Sequence, residues 1–224
     1  MRKTLFIVAL LAVSLLGAAQ PARAALFTIS GGKEYTTPKD DSGSGFPWWG
    51  NQVIPLTPGF LGAQLAFQGT PGWLYDITFE FVGFEAEWID VLQTSGGNID
   101  NRQQPGTLVA VRWRATGGLD IVPFSFVNGE DSPRAVANGT NGFPSLDPAL
   151  AWPNFFLGIA EPSGSGATAW EGDVVWLALD DNGAGPDVDH DDWVGLVRAE
   201  PAPEPAALLL LASGLLSLSR RLRR

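Results

Sequence analysis

Residues 74–89, LYDITFEFVGFEAEWI, alternate apolar and polar side chains with a period of two, and that alternation constrains the fold more than any other feature of the chain. Tyr75, Ile77, Phe79 and Phe81 fall on one face of a strand, and Asp76, Thr78 and Glu80 on the other. After Gly83 the apolar set changes parity to Phe84, Ala86 and Trp88. One extra residue at a bulge has that effect, because it turns the opposite face of the strand inward. TLVAVRWRA repeats the alternation, and LDIVPFSFV, NFFLGIA, DVVWLALD and DWVGLVRA are short β-type runs bounded by Gly, Pro, Asn and Asp. With 27 Gly and 17 Pro as punctuation and no helical period outside the termini, the expected fold is all-β. Seven to nine strands are expected in one antiparallel β-sandwich of jelly-roll type, over residues 25–200.

The two ends differ from this body. Arg2 and Lys3, the apolar stretch TLFIVALLAVSLLGAA and the exit Ala22-Arg23-Ala24 read as a helical export signal over residues 1–24. Residues 201–224, PAPEPAALLLLASGLLSLSRRLRR, hold an apolar run from Ala206 to Ser219 closed by four arginines. Extended through Leu222 it gives a helix of about 25 Å against a bilayer core of about 30 Å. Such a segment spans only marginally, with the arginines as a stop on the cytoplasmic side and Pro205 in the first helical turn.

Charge bounds the partners. Seven of the 14 Lys and Arg lie at the ends, leaving seven against 24 Asp and Glu over residues 25–205, or about −17. That surface repels nucleic acid and suits divalent cations or a neutral polymer. The absence of cysteine excludes disulfides and thiolate metal sites.

The densest chemistry-bearing stretch is DDNGAGPDVDHDDWVGL, residues 180–196, which reads as a hairpin with an acidic loop. Asp187, Asp189 and Asp191 match the first three ligand positions of an EF-hand loop, but Asp192 and Arg198 stand where Gly and Glu are required. The expectation is therefore a Ca²⁺ site of another kind, built from Asp181, Asp187, Asp189 and Asp191. The alternative is a solvated acidic turn closed by Asx-type hydrogen bonds. His190, the only histidine, is expected at the loop surface or packed on the loop. Neither a zinc site nor a Ser-His-Asp triad is built readily around it. Glu85, Glu87 and Asp90 could supply the two carboxyls of a glycoside hydrolase, but Glu85 and Glu87 lie together on the face opposite Phe84, Ala86 and Trp88, which favours a solvated face. Trp48 and Trp49, adjacent in a Gly/Pro loop, are candidate glycan contacts, whereas Trp88, Trp113 and Trp176 read as core. Asn138 opens an Asn-Gly-Thr glycosylation sequon.

The order of export signal, β-rich body, Pro203-Glu204-Pro205, short apolar helix and Arg220, Arg221, Arg223 and Arg224 resembles the PEP-CTERM class of exported bacterial proteins. The resemblance implies a Gram-negative cell, a transient inner-membrane tether, processing of the tail by an exosortase-type enzyme, and association with the outer surface or an exopolysaccharide matrix. The acidic hairpin is similar to one that precedes such tails in several of these families. The function expected is that of a non-enzymatic surface or matrix protein stabilised by Ca²⁺. A carbohydrate-binding module using Trp48 and Trp49, and a polysaccharide-degrading enzyme, are the competing classes.

Overall fold

The computed structural model describes residues 25–36, 58–84, 88–129, 134–141, 153–163, 170–181, 190 and 192–202. The expected terminal helices, and with them the processing signal from Pro203 onward, lie outside these residues, as do Trp48, Trp49, Glu85, Glu87, Asp187, Asp189 and Asp191. Every described element is a strand: β1 (Phe27–Thr36), β2 (Pro58–Phe67), β3 (Leu74–Gly83), β4 (Val91–Thr94), β5 (Gly97–Asp100), β6 (Leu108–Arg114), β7 (Asp120–Ile121), β8 (Phe124–Val127), β9 (Ala135–Ala137), β10 (Asn154–Pro162), β11 (Glu171–Asp180) and β12 (Trp193–Pro201). The described residues are all-β, with more strands than the seven to nine expected. LDIVPFSFV divides at Val122-Pro123 into β7 and β8, and β4, β5 and β9 are too short to show a period.

The large sheet has the order β1-β2-β10-β11-β12-β3-β6, with β7 added to β2, and every pairing is antiparallel. The start of β1 also pairs with the start of β11, through Phe27 opposite Gly172, so this sheet curls back on itself. A smaller sheet, β5-β4-β8-β9, is also antiparallel. The inner faces of the two sheets share one apolar core. Phe79 of β3 meets Phe124 of β8 edge-on at 5.7 Å between ring centroids, and Trp193 of β12 meets Phe126 of β8 at 5.1 Å.

In β3 the parity is as the sequence predicts: Tyr75, Ile77, Phe79 and Phe81 are buried and their neighbours half-buried. The bulge is present too. Val194 faces Gly83 while Gly195 faces Phe81, so β3 carries one extra residue there. After the bulge the chain departs from expectation. The strand ends at Gly83, Phe84 packs against the core, and Trp88 is exposed rather than inward, because parity governs side-chain direction only while the chain remains in the sheet. On the facing strand, Trp193 lies over Gly195. A Cβ on Gly195 would stand 2.4 Å from the Glu80 carbonyl oxygen and 2.6 Å from the indole, so only glycine fits beneath that ring.

Candidate metal centre

The hairpin read from residues 180–196 is formed by β11 and β12, with Leu179 opposite Trp193. Continuing that register sets acidic residues against acidic residues at the ends of the two strands, where like charges opposite one another are unfavourable. The chain folds this base inward. Asp180 and Asp181 are buried and Asp192 is half-buried. The Asp181 amide donates to Asp192 Oδ2 at 2.7 Å, and the Asp192 amide donates to the Leu179 carbonyl at 3.2 Å.

The small sheet meets this base with the ends of its strands. Asp90, one residue before β4, is fully buried. Carboxylate oxygens of Asp90, Asp181 and Asp192 lie within 4.8 Å of one another. Asn101, just after β5, donates from Nδ2 to the Trp88 carbonyl at 2.9 Å, to Asp90 Oδ2 at 3.3 Å and to the Asp192 carbonyl at 3.5 Å. Asn128, just after β8, donates to the Asp181 carbonyl at 2.9 Å while its Oδ1 accepts from the Arg134 amide. Two asparagines thus tie the small sheet to both ends of the β11–β12 connection.

His190 belongs to the same junction. It is fully buried, not at the loop surface, and it adopts a φ of 57°, uncommon for a residue with a Cβ. Asn154 donates to Asp180 Oδ2, which turns its own Oδ1 toward His190 Nε2, so that nitrogen carries the proton of this hydrogen bond. Burial pushes the imidazole down to about 3 and keeps it neutral. The histidine is therefore engaged in positioning β10 against the hairpin base, with Nε2 committed to Asn154.

Asp192 records the electrostatic state of the cluster. Burial raises its carboxyl well above the usual range, and the charges of Asp181, Asp180 and Asp90 raise it further, against the pull of the Asp181 amide. Two ionised carboxylates about 5 Å apart repel by roughly 3 kcal/mol at an effective dielectric constant of about 20. A divalent cation would reverse the sign of those interactions.

Of the four aspartates expected to form a calcium site, Asp181 is in this cluster, and Asp187, Asp189 and Asp191 lie outside the described residues. Asp90, Asp192 and Asn101 were missed. Asp192 could have been found from the hairpin itself, since Asp180-Asp181 and Asp191-Asp192 flank the loop symmetrically. No spacing rule reaches from Asp90 to Asp181.

Asn138, the sequon asparagine, is another structural clip. Its Nδ2 donates to the carbonyls of Leu65 and Val122 at 2.7 and 2.8 Å, and its Oδ1 accepts from the Leu65 amide at 2.9 Å. Both amide hydrogens are in use, so a glycan on this nitrogen would cost the link between β9 and β2. No family model, no curated protein and no solved structure matches the chain.

Proposed function

We propose that this chain is an exported, non-enzymatic protein of the cell surface or exopolysaccharide matrix. In this reading its two sheets form a jelly-roll-like sandwich, and its tail is a sorting signal cut by an exosortase-type enzyme after a transient stop in the inner membrane. The observation that carries the proposal is the place of β12. This strand runs between β11 and β3 and ends at Pro201, two residues before the Pro-Glu-Pro signal. It is paired on both sides, from Leu179–Trp193 to Val174–Arg198 with β11 and from Gly83–Val194 to Tyr75–Pro201 with β3. The Ala202 amide then donates to the Leu74 carbonyl. A pull on the tail therefore acts along an interior strand and loads two hydrogen-bond ladders at once, which suits a body held by its C-terminus. The inward-facing acidic cluster supports a structural role for the densest titratable groups, because it sits where the two sheets are joined.

Intact-mass measurement of protein released from the cell surface tests the reading. The expected mass lacks the residues beyond about Pro205, and a Pro203→Ala, Pro205→Ala double variant is expected to remain in the inner membrane at full length. Surface-released protein that still ends at Arg224 would overturn it.

A further inference from the structure

We propose that Asp90, Asp181 and Asp192 bind one Ca²⁺, with the side-chain carbonyl of Asn101 as a further ligand. This deepens the function proposed above by naming what stiffens the body, and it moves the expected calcium site from the middle of the hairpin loop to the hairpin base.

The first support is geometric. Three carboxylates, delivered by the residue before β4, the residue after β11 and the residue before β12, present oxygens within 4.8 Å of one another. Oxygens bound to one Ca²⁺ at 2.3–2.6 Å can be separated by at most about 5 Å, so one ion can reach all three.

The second support is independent of the acidic residues. Asn101 is 1% exposed, and its Oδ1 has no hydrogen-bond partner among the described residues. The orientation of that amide is fixed, since Nδ2 is committed to the Trp88 carbonyl and to Asp90 Oδ2. The oxygen therefore shares an amide carbon with a nitrogen that touches both the Asp90 carboxylate and the Asp192 carbonyl, at the border of the cluster. A buried amide acceptor left without a donor carries its full desolvation penalty in a closed fold, and a cation is the partner that would satisfy it beside three carboxylates. All four donors are oxygen, the preference of a hard cation. The His190 ring commits Nε2 to Asn154, and the residue is not among the three whose ligand atoms lie within 4.8 Å of one another. A site rich in protein oxygens favours Ca²⁺, which takes six to eight oxygen ligands in flexible geometry, over Mg²⁺, which retains several of its waters.

Binding there would join the two sheets, whose backbone ladders leave them separate. Asp90 and Asn101 belong to the small-sheet side, and Asp181 and Asp192 close the two strands of the large sheet nearest the tail. The ion would lock the end of β12 opposite the end that leads to the tail.

The test is a Tb³⁺ titration of the full chain in mild detergent, with luminescence excited through tryptophan, since Trp193 adjoins Asp192. Expected are saturation at one ion per chain and displacement by Ca²⁺ at a concentration at least about tenfold below that of Mg²⁺. Ca²⁺ is also expected to raise the melting temperature relative to chelator. Asp90→Asn and Asp181→Asn should each weaken Ca²⁺ by about tenfold or more, with far-UV circular dichroism unchanged, whereas an Asp187→Asn, Asp189→Asn double variant should stay within about twofold of wild type. An affinity that follows Asp187 and Asp189 instead, or no displacement of Tb³⁺ by millimolar Ca²⁺, overturns the proposal. If the Asp90 and Asp181 variants fail to fold, the wild-type chain still decides through its stoichiometry and its melting shift. Tail processing is read by mass without reference to Ca²⁺, so either proposal can fail alone.

Discussion

The two ends of the β11-β12-β3 block use the same residue types to opposite effect. Toward the end where β12 finishes, Asp76 and Asp120 each have their own donors. Asp76 is gripped by Arg112 through two hydrogen bonds of 2.8 and 2.9 Å, and Asp120 accepts from the Thr116 amide and hydroxyl and from the Trp113 indole. At the end where β12 begins, Asp90, Asp181 and Asp192 face one another. Both Asp76 and Asp120 are held below the ordinary carboxylate range, whereas Asp192 is pushed well above it. The difference teaches that acidity in this chain is not one property. One end supplies Asp76 and Asp120 with donors of their own, and the other has a surplus of negative charge that a cation would balance.

The largest effect that separates the ends should come from their tryptophans. Trp193 is fully buried between Phe81 and Phe126, at 5.5 and 5.1 Å. Trp193→Ala is expected to cost about 3–5 kcal/mol in denaturant unfolding. Trp113 is half-buried at the other end, and Trp113→Ala should cost distinctly less. Equal losses would mean that the junction end has no special place in the core.

Next in size are the asparagine clips. Asn101→Ala and Asn128→Ala each leave buried carbonyls at the junction without their donor, with an expected loss of about 1–3 kcal/mol. These clips also explain why the site was harder to read than the fold. β3 and β6 are legible because one face of each meets water, so that Asp76, Glu80, Arg112 and Arg114 mark the outward positions. β11 is buried on both faces along its second half and shows no alternation, and β1 carries Gly31 and Gly32 at positive φ in the middle of its run. Asn101, Asn128 and Asn138 look like turn punctuation in the sequence, as most asparagines between strands are. Their role depends on which backbone groups lie opposite, and that is fixed by sheet packing. Asp90 and Asp181, about ninety residues apart, meet for the same reason.

A reversal of sign is the sharper test. With metal removed, Asp192→Asn should leave the protein as stable as wild type or more stable, by about 1 kcal/mol, because it removes one charge from a repelling set. Asp120→Asn at the other end should destabilise, since it weakens three hydrogen bonds to an ionised acceptor. Adding Ca²⁺ should reverse the ranking at the junction and leave the Asp120 variant's deficit unchanged. A chelated Asp192→Asn protein that is clearly less stable than wild type would show that the cluster is already compensated without a cation.

The smallest effect lies in the acid limb of stability, and it separates two kinds of complete carboxylate. For Asp76 the Arg112 hydrogen bond is the main cause of a depressed pKa, opposed by partial desolvation and aided by the guanidinium charge. For Asp120 burial alone would raise the value, but the hydrogen bonds from Thr116 and Trp113 outweigh it. In both cases the unfolded chain binds the proton more readily, near the ordinary value of 3.8. The stabilisation is thus fully present above that pH and is lost as pH falls through the lower folded values. Salt should tell the two apart. Arg112 and Asp76 have side chains 62% and 31% exposed, so about 0.5 M salt, with a Debye length of only a few Å, should flatten the Asp76 contribution. The donors on Asp120 are neutral, and its share of the acid limb should persist at the same ionic strength. Unfolding followed below pH 5 in wild type, Asp76→Asn and Asp120→Asn, at low and high salt, reads both outcomes. Equal sensitivity to salt would mean that the Asp120 pocket is governed by long-range charge rather than by its three donors.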